Sequence, residues 1–291
     1  MAWKQLEAIL EKQGIFMGAK SSYEEAQAVI VGLPMDFTVS YRPGARSGPQ
    51  AIRNVSFAIE EYSFYQDKSL EDYRYCDLGN VGLPFGNVAA SLDLIQETAE
   101  VLLEDNKFPI FLGGEHLVTY PLLKAFARKY PELRVVQFDA HADLRRDYYG
   151  EDRSHSTVMR KAVELLGPGK VYQFGIRSGI KEEFEFAKKN TRLYLEEVIE
   201  PLQSVLGELK GKPIYVSLDI DVVDPAFAPG TGTQEPGGCT SREIIRAIHL
   251  LGELDVVGFD LVEVCPQLDF SERTAILAAK IVREGLLAYL K

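Results

Sequence analysis

The sequence has few cysteines and no long apolar run. The three cysteines, Cys76, Cys239 and Cys265, are odd in number, lie far apart and form no C-x-x-C pair. Neither a disulfide framework nor a zinc–thiolate site is therefore expected, and the thiols are predicted to be small buried hydrophobes. No window approaches the roughly 18 consecutive apolar residues of a membrane helix. Charges also interrupt residues 1–16, where a signal peptide would be apolar, so we expect a cytoplasmic protein.

The chain has fewer basic than acidic residues. The chain has 32 Lys and Arg against 43 Asp and Glu, a formal net charge of -11. Such a surface repels nucleic acid and anionic membranes, and it favours the approach of a cationic small molecule. Repeats, low-complexity tracts and Pro/Gly/Ser linkers are also missing, and 46% of the residues are hydrophobic. The sequence therefore predicts one domain over residues 1–291.

Short apolar runs alternate with segments of helical periodicity. The runs, which are typical of buried parallel strands, are residues 28–34, 108–114, 133–139, 170–176, 213–219 and 255–264. Helices are predicted over residues 91–105 and 119–130, from Thr240 onward, and over residues 271–290. Thr240 and Ser271 precede acidic residues and are predicted to begin their helices as N-caps. The alternation predicts an α/β fold of three layers, α/β/α, with a central, mostly parallel, doubly wound sheet.

Polar side chains follow three of the predicted strands. Asp139 ends the apolar run at 133–139 and is followed by His141 and Asp143, and Asp219 ends the run at 213–219 and is followed by Asp221. In an extended chain, positions i, i+2 and i+4 point the same way, so each set is predicted to converge. After the strand at 108–114, a Gly-Gly pair allows a sharp turn into Glu115 and His116. Six potential ligands are therefore expected at one sheet edge.

The joint occurrence of these residues favours a metal centre. A single Asp after a strand is usually a turn former or helix cap. Four converging carboxylates, in contrast, repel by about 4 kcal/mol per pair at 4 Å and a dielectric constant of 20, so the cluster requires cations or protons. Oxygen ligands with one or two imidazoles and no sulfur fit two Mn²⁺ best, with cobalt, iron or zinc as alternatives.

Two such ions would lower the pKa of a bridging water and present hydroxide to an electrophilic carbon. The pattern thus favours metal-assisted hydrolysis. No Ser/His/Asp arrangement competes with it, and the glycine-rich segments lack the lysine and spacing of a phosphate-binding loop.

Three sequence blocks resemble the signatures of the ureohydrolases, the family of arginases and agmatinases. They are GGEH at 113–116, FDAHAD at 138–143 and SLDIDVVDPAFAPGTGTQEPGG at 217–238. The similarity continues through TVSYRPGARSGPQAIR, SHSTVMRKA, FGIRSG and DLVEVCP, and so covers nearly the whole chain. The resemblance implies an arginase-like fold and hydrolysis of a guanidino compound to urea and an amine by a metal-bridging hydroxide.

The resemblance also implies a role for each site residue. One manganese ion would be bound by His116, Asp139, Asp143 and Asp219, and the second by Asp139, His141, Asp219 and Asp221. Asp143 would in addition orient the hydroxide. His155 corresponds to a histidine that carries a proton to the departing amine, a task that suits its usual pKa near 6.5. Glu263 corresponds to the carboxylate that pairs with the substrate guanidinium, and Thr233 lies beside it. His249, on a helical segment, is interpreted as structural.

The substrate tail is less well defined by the sequence. SYRPGAR resembles the agmatine-hydrolysing branch, and a pocket lined by Asp147, Glu151 or Asp152 would accept the second amine of agmatine. The products would be putrescine, a polyamine precursor, and urea. Arg145 and Arg146 lie in the same loop and equally suit a carboxylate. Arginine, guanidinobutyrate and N1-aminopropylagmatine therefore remain alternative substrates.

Two alternative functions do not involve hydrolysis of a guanidino compound. An inactive metal-binding scaffold of the same fold is the alternative that is not an enzyme, while a related deacetylase is excluded because the chain has no His-His pair. The resemblance further implies a homo-oligomer, a trimer or hexamer.

Overall fold

The six apolar runs form the centre of one large sheet. The computed structural model describes residues 2–290. The strands in that range, β1 to β11, are Leu10–Glu11, Ala28–Leu33, Tyr62–Ser63, Lys68–Ser69, Tyr75–Val81, Phe108–Gly113, Arg134–Phe138, Val171–Ile176, Arg192–Leu195, Pro213–Asp219 and Asp255–Val262. The helices, α1 to α9, are Trp3–Glu7, Gly48–Ser56, Val88–Glu104, Thr119–Lys129, Val158–Leu166, Lys181–Asn190, Ile199–Leu209, Ser241–Leu251 and Arg273–Tyr289.

Nine strands pair in the order β1-β5-β2-β6-β11-β10-β7-β8-β9, and β3 pairs with β4 in a separate hairpin. All neighbours in the large sheet are parallel except β1, which runs antiparallel to β5. The last strand, β11, lies in the middle of the sheet between β6 and β10. This topology confirms the predicted mostly parallel, doubly wound sheet.

Helices cover both faces of the sheet. Along β2, Ile30 packs into one hydrophobic cluster, whereas Val29 and Val31 pack into the other. This alternation is the period of two expected of a strand buried on both faces. Helices α2, α7, α8 and α9 contribute to the first cluster, and α3, α4 and α5 to the second. The arrangement is the predicted three-layer α/β/α architecture.

The two predicted helix starts have different outcomes. Thr240 caps α8 as predicted, because its hydroxyl accepts the Glu243 N–H at 3.2 Å while the Glu243 carboxylate accepts the Thr240 N–H at 2.7 Å. The prediction for Ser271 is wrong. Helix α9 begins at Arg273, and the Asp269 carboxylate accepts the Thr274 N–H at 2.9 Å, so an acid two residues upstream of Ser271 satisfies this first turn.

The three cysteines are unpaired and buried, as predicted. None of the helices in residues 2–290 is long and apolar enough to cross a membrane.

Candidate metal centre and active site

Four central strands deliver the polar residues to one edge of the sheet. Asp139 directly follows β7, Asp219 is the last residue of β10, and Glu263 directly follows β11. His116 begins a short 3₁₀ turn, His116–Val118, after β6. Because β6, β11, β10 and β7 are consecutive neighbours and run parallel, their carboxyl ends meet at one place. All the predicted ligands are therefore brought together.

The backbone reaches this arrangement by turns, not by the extended geometry expected from the sequence. Asp143 has a φ of +52°, in the left-handed region, and Asp219 and Asp221 are linked through the 3₁₀ turn Ile220–Val222. Asp219 holds that turn by accepting the Asp221 N–H at 2.9 Å. Gly114 is required in the third loop, since a Cβ there would lie 1.9 Å from the Met35 carbonyl oxygen. Convergence was predicted correctly, but its stated geometric reason was wrong.

His116 lies among three carboxylates. Its Nδ1 is 3.1 Å from an oxygen of Asp139, 3.1 Å from one of Asp143 and 3.4 Å from one of Asp219. This nitrogen is buried and makes no hydrogen bond of acceptable geometry. Ligand atoms about 2.1 Å from one octahedral ion stand ~3 Å apart, so the spacing fits a shared divalent cation.

A second group adjoins the first. His141 Nδ1 lies 2.8 Å from an Asp221 oxygen and 3.7 Å from an Asp139 oxygen. The ligand atoms of Asp139, His141 and Asp221 lie within 4.8 Å of one another, as do those of His116, Asp139 and Asp219. Asp139 belongs to both groups. That Asp219 also binds both ions stays a prediction from the resemblance.

Without cations, this cluster strongly perturbs its own titration. Burial opposes the imidazolium forms of His116 and His141, but the adjacent carboxylates prevail and raise the pKa of His116 well above its usual value and that of His141 to about 12. Burial and the charge of Asp139 raise the pKa of Asp143 to about 7. Burial raises the pKa of Glu263 to about 8. These four side chains therefore hold protons more tightly than usual when no metal is bound, whereas His116 and His141 outweigh burial and lower the pKa of Asp139.

These shifts predict that the metal-free protein loses stability between pH 6.5 and 8.5. The folded state retains protons on His116 and His141, whose unfolded pKa is near 6.5, and partly on Asp143 and Glu263, which the unfolded chain has already deprotonated. Because the folded state binds more protons in this window, its free energy of unfolding decreases as pH rises. Thermal unfolding of protein treated with EDTA, measured across this range, tests the expectation.

Manganese-loaded protein is the matched comparison for that experiment. Metal ligands must be deprotonated, so metal binding strengthens as pH rises and the gap in Tm between loaded and metal-free protein should widen. A metal-free Tm that stays level or increases from pH 6.5 to 8.5 would contradict the titration pattern.

Residues of both ligand groups line a cavity of about 300 Å³ that His155, Thr233 and Glu263 also line. Glu263 has a φ of +64°, and one of its carboxylate oxygens accepts the His116 N–H at 2.7 Å. That contact fixes the carboxyl group beside the first ligand group while leaving it at the cavity wall. All the predicted substrate-binding side chains therefore share one cavity with five of the six predicted metal ligands, and the sixth, Asp139, is fully buried behind them.

His155 is held in the cavity wall as a neutral imidazole. Burial lowers its pKa to about 4, below the unperturbed value that the sequence suggested. Its backbone N–H donates to the Thr38 hydroxyl at 3.1 Å, and its Nδ1 lies 3.3 Å from the Ser154 hydroxyl. A neutral imidazole has a lone pair and is ready to accept a proton during a reaction.

Glu115 organises the segment at residues 37–41 beside His155, a role that the sequence did not reveal. Its carboxylate accepts N–H bonds from Phe37 at 3.0 Å and Thr38 at 2.9 Å, and the Thr38 hydroxyl at 2.6 Å. Thr38 in turn contacts His155, so the segment at residues 37–41 is fixed against the centre. A buried acid directly before a predicted ligand was the available signal.

The predicted role of the 144–152 loop is wrong. Asp147 and Asp152 line a different surface depression, and Glu151 lines neither cavity. Asp152 pairs with Lys161 at 2.8 Å, and Asp147 accepts the Gly150 N–H at 3.0 Å, so these acids are used within the surface loop. The side chains of this loop that do line the active-site cavity are Arg145 and Tyr148, and Glu183 of α6 lines the cavity with them.

His249 lies away from this site. Its Nε2 is 2.8 Å from the buried carboxylate of Glu284, which agrees with a structural role.

Comparisons with known proteins agree over nearly the whole chain. The model of the arginase family matches residues 26–288. Agmatinase of Bacillus subtilis is 54% identical over 280 residues, which cover 95% of this chain and 97% of that protein. Guanidinobutyrase of Pseudomonas aeruginosa is 35% identical and covers 89% of this chain and 85% of that protein. The crystal structure of agmatine ureohydrolase of Thermoplasma volcanium has a TM-score of 0.85 and 32% identity, covering 98% of this chain and 97% of that one.

Proposed function

Because the chain belongs to the arginase family, we propose that it is a binuclear-metal hydrolase that cleaves agmatine to putrescine and urea. The observation that carries the proposal is the pair of His/Asp groups that share Asp139 and whose other members line the cavity. The 54% identity to an agmatinase over most of both chains supports agmatine as the substrate.

The residues present fit two divalent cations. The buried His116 Nδ1 has no hydrogen-bond partner and three carboxylates around it, and the donor set is oxygen-rich with two imidazoles. We assign His116, Asp139, Asp143 and Asp219 to one ion and Asp139, His141, Asp219 and Asp221 to the other, with Mn²⁺ as the preferred metal. When bound, the ions supply a hydroxide nucleophile at neutral pH by lowering the pKa of a shared water.

The remaining side chains then bind the substrate and transfer a proton to the departing amine. Glu263 pairs with the guanidinium and aligns its carbon above the metal ligands, with Thr233 beside it as a hydroxyl partner. Asp143 accepts a hydrogen bond from the attacking water and so orients it. His155 accepts a proton and delivers it to the departing amine, since an amine leaves readily only when protonated.

Further parts of the proposal concern the whole protein. We take residues 1–291 as one catalytic domain, cytoplasmic and assembled as a homo-oligomer of three or six chains. The product putrescine places the enzyme in polyamine formation.

Urea release tests the substrate assignment. Manganese-loaded protein is supplied in parallel with agmatine, arginine, guanidinobutyrate and N1-aminopropylagmatine at equal concentration. Agmatine is expected to give the highest kcat/KM. No urea from any of the four would reject the proposed reaction and favour the inactive scaffold.

A guanidino acid is the second candidate, and Arg145 is the observation that favours it. Arg145 lines the cavity, where a guanidinium group can pair with a substrate carboxylate. However, its Nε already lies 3.8 Å from the Glu183 carboxylate, which lowers its net attraction for a second acid. Faster hydrolysis of guanidinobutyrate than of agmatine would establish this alternative.

Replacing His155 by Asn is expected to lower kcat by about 100-fold, because general acid–base catalysis typically contributes at least that much. Asn keeps a polar side chain but cannot carry the proton. The variant should still bind two manganese ions, since His155 belongs to neither ligand group. Steady-state kinetics with metal analysis provide the test, and a kcat equal to that of the wild type would return His155 to a structural role.

A further inference from the structure

A line of buried hydrogen bonds runs from His116 away from the cavity. Its Nε2 lies 3.0 Å from the Ser217 hydroxyl, and that hydroxyl donates to an Asp260 oxygen at 2.7 Å. Ser217 and Asp260 are register partners on the neighbouring parallel strands β10 and β11. Both side chains are fully buried, and His116 is 1% exposed. The rigid centre of the sheet therefore supports the back of the imidazole.

The Asp260 carboxylate accepts hydrogen bonds from several hydroxyl groups. Besides Ser217, it accepts from the Tyr215 hydroxyl at 2.7 Å and from the Thr119 hydroxyl at 3.0 Å. A carboxylate in the core is costly unless hydrogen bonds satisfy it, and three O–H donors converge on this one. Burial raises the pKa of Asp260, whereas the three O–H contacts oppose that shift and favour the ionised carboxylate, which can only accept.

An ionised Asp260 fixes which group donates and which accepts in the hydrogen bonds that link it to Ser217 and His116. Since Asp260 only accepts, the single Ser217 proton is directed to it, and the Ser217 oxygen is left as an acceptor for His116 Nε2–H. In the neutral form of the ring, which is the form that binds a metal ion, the other nitrogen, Nδ1, then carries the lone pair. That nitrogen is the buried, unpartnered atom that faces Asp139, Asp143 and Asp219.

We propose that Ser217 and Asp260 are positioning residues that fix the tautomer and orientation of His116, so that Nδ1 can bind a metal ion. Histidine ligands bind metals through a neutral nitrogen, and a partner on the other nitrogen sets which one is available and increases its basicity. The inference rests on the metal site of the proposed function. It adds two residues, neither of which contacts the cavity.

Manganese titration of metal-free protein tests this role. The EPR signal of free Mn²⁺ measures binding without any substrate. Ser217→Ala is expected to weaken the affinity for the ion bound by His116 by about 10- to 100-fold, which is the range for losing a hydrogen-bond partner of a metal ligand. The ion at Asp139, His141 and Asp221 should bind as before. Asp260→Asn, which retains the side-chain volume, is expected to weaken the same ion by about tenfold because a neutral amide is a poorer acceptor.

Tyr215→Phe is the matched control, because it removes a buried hydroxyl from Asp260 without interrupting the line to His116. It should bind both ions within about threefold of the wild type. Wild-type affinity in both Ser217→Ala and Asp260→Asn would overturn the proposal, as would an equal loss in Tyr215→Phe. If only one of these two variants folds, judged by its Tm in EDTA, wild-type affinity in that variant alone overturns the proposal.

The outcomes separate this inference from the proposed reaction. Normal manganese binding with no urea release would reject the reaction and leave the positioning role intact. Urea release with metal binding that does not depend on Ser217 or Asp260 would reject only the positioning role. A wild-type chain that binds no manganese would overturn both.

Discussion

Replacing Asp139 by Asn is expected to abolish binding of both metal ions and to lower the rate of urea release by more than about 10³-fold, or ~4 kcal/mol of transition-state stabilisation. Asp139 alone belongs to both ligand groups of the described residues. In the wild type, the backbone N–H of His141 donates to an Asp139 oxygen at 2.6 Å. The side-chain oxygen of Asn can accept the same hydrogen bond, so the loop should keep its shape. Loss of a carboxylate from a crowded acidic cluster should also leave the metal-free protein folded. Metal analysis after gel filtration measures the result.

Two further variants make the Asp139 experiment specific. Asp221→Asn is expected to lose the ion bound by His141 and to retain the ion at His116, because Asp221 belongs to one group only. Asp147→Asn removes an exposed carboxylate from the loop that follows the site and should change neither metal content nor rate. Two tightly bound ions per chain in Asp139→Asn would show that Asp139 is not shared between them.

Replacing Glu263 by Gln is expected to reduce kcat/KM by about 10³-fold while two manganese ions stay bound. Removing one partner of a buried ion pair costs about 3–5 kcal/mol, which corresponds to roughly 10²- to 10⁴-fold. Gln has nearly the same volume, and its amide oxygen can still accept the His116 N–H that Glu263 accepts at 2.7 Å. The loss should therefore reflect weaker guanidinium binding and not a collapsed site. Substrate kinetics on metal-loaded protein, with the metal content measured in the same sample, provide the test.

Glu272→Gln is the control for this variant. Glu272 has the same residue type and a similar left-handed φ of +58°, but it is exposed and precedes α9. Its substitution should leave kcat/KM unchanged. An unchanged kcat/KM in Glu263→Gln would instead remove Glu263 from the substrate site.

The central strands were predictable because apolar residues fill them from end to end. Strands outside these runs were not. In β5, the buried Asp77 interrupts the apolar pattern, and it is tolerated because the guanidinium of Arg53, on α2, pairs with it at 2.8 Å. A partner 24 residues earlier in the chain cannot be recognised from local periodicity. The short β1 and the exposed β9 lack a buried run altogether.

The candidate site was predictable in its residues but only partly in its shape. Strand ends in a parallel sheet meet at one edge, so the sequence was sufficient to group His116, Asp139 and Asp219. The direction of side chains in the 144–152 loop depends on tertiary contacts such as Asp152 with Lys161, and the sequence did not indicate it. The support behind His116 was equally hidden, because Ser217 and Asp260 become neighbours only through strand pairing.

Strand β11 is synthesised after the other ten strands of residues 2–290, yet it lies between β6 and β10 in the finished sheet. Without β11, the two parts of this sheet, one ending in β6 and the other in β10, would share no edge. His116 follows the first part, and Asp139 and Asp219 follow strands of the second. A nascent chain therefore cannot close the metal centre until Val262 has been synthesised. Prematurely terminated chains are expected to carry the ligand motifs without acquiring hydrolytic activity.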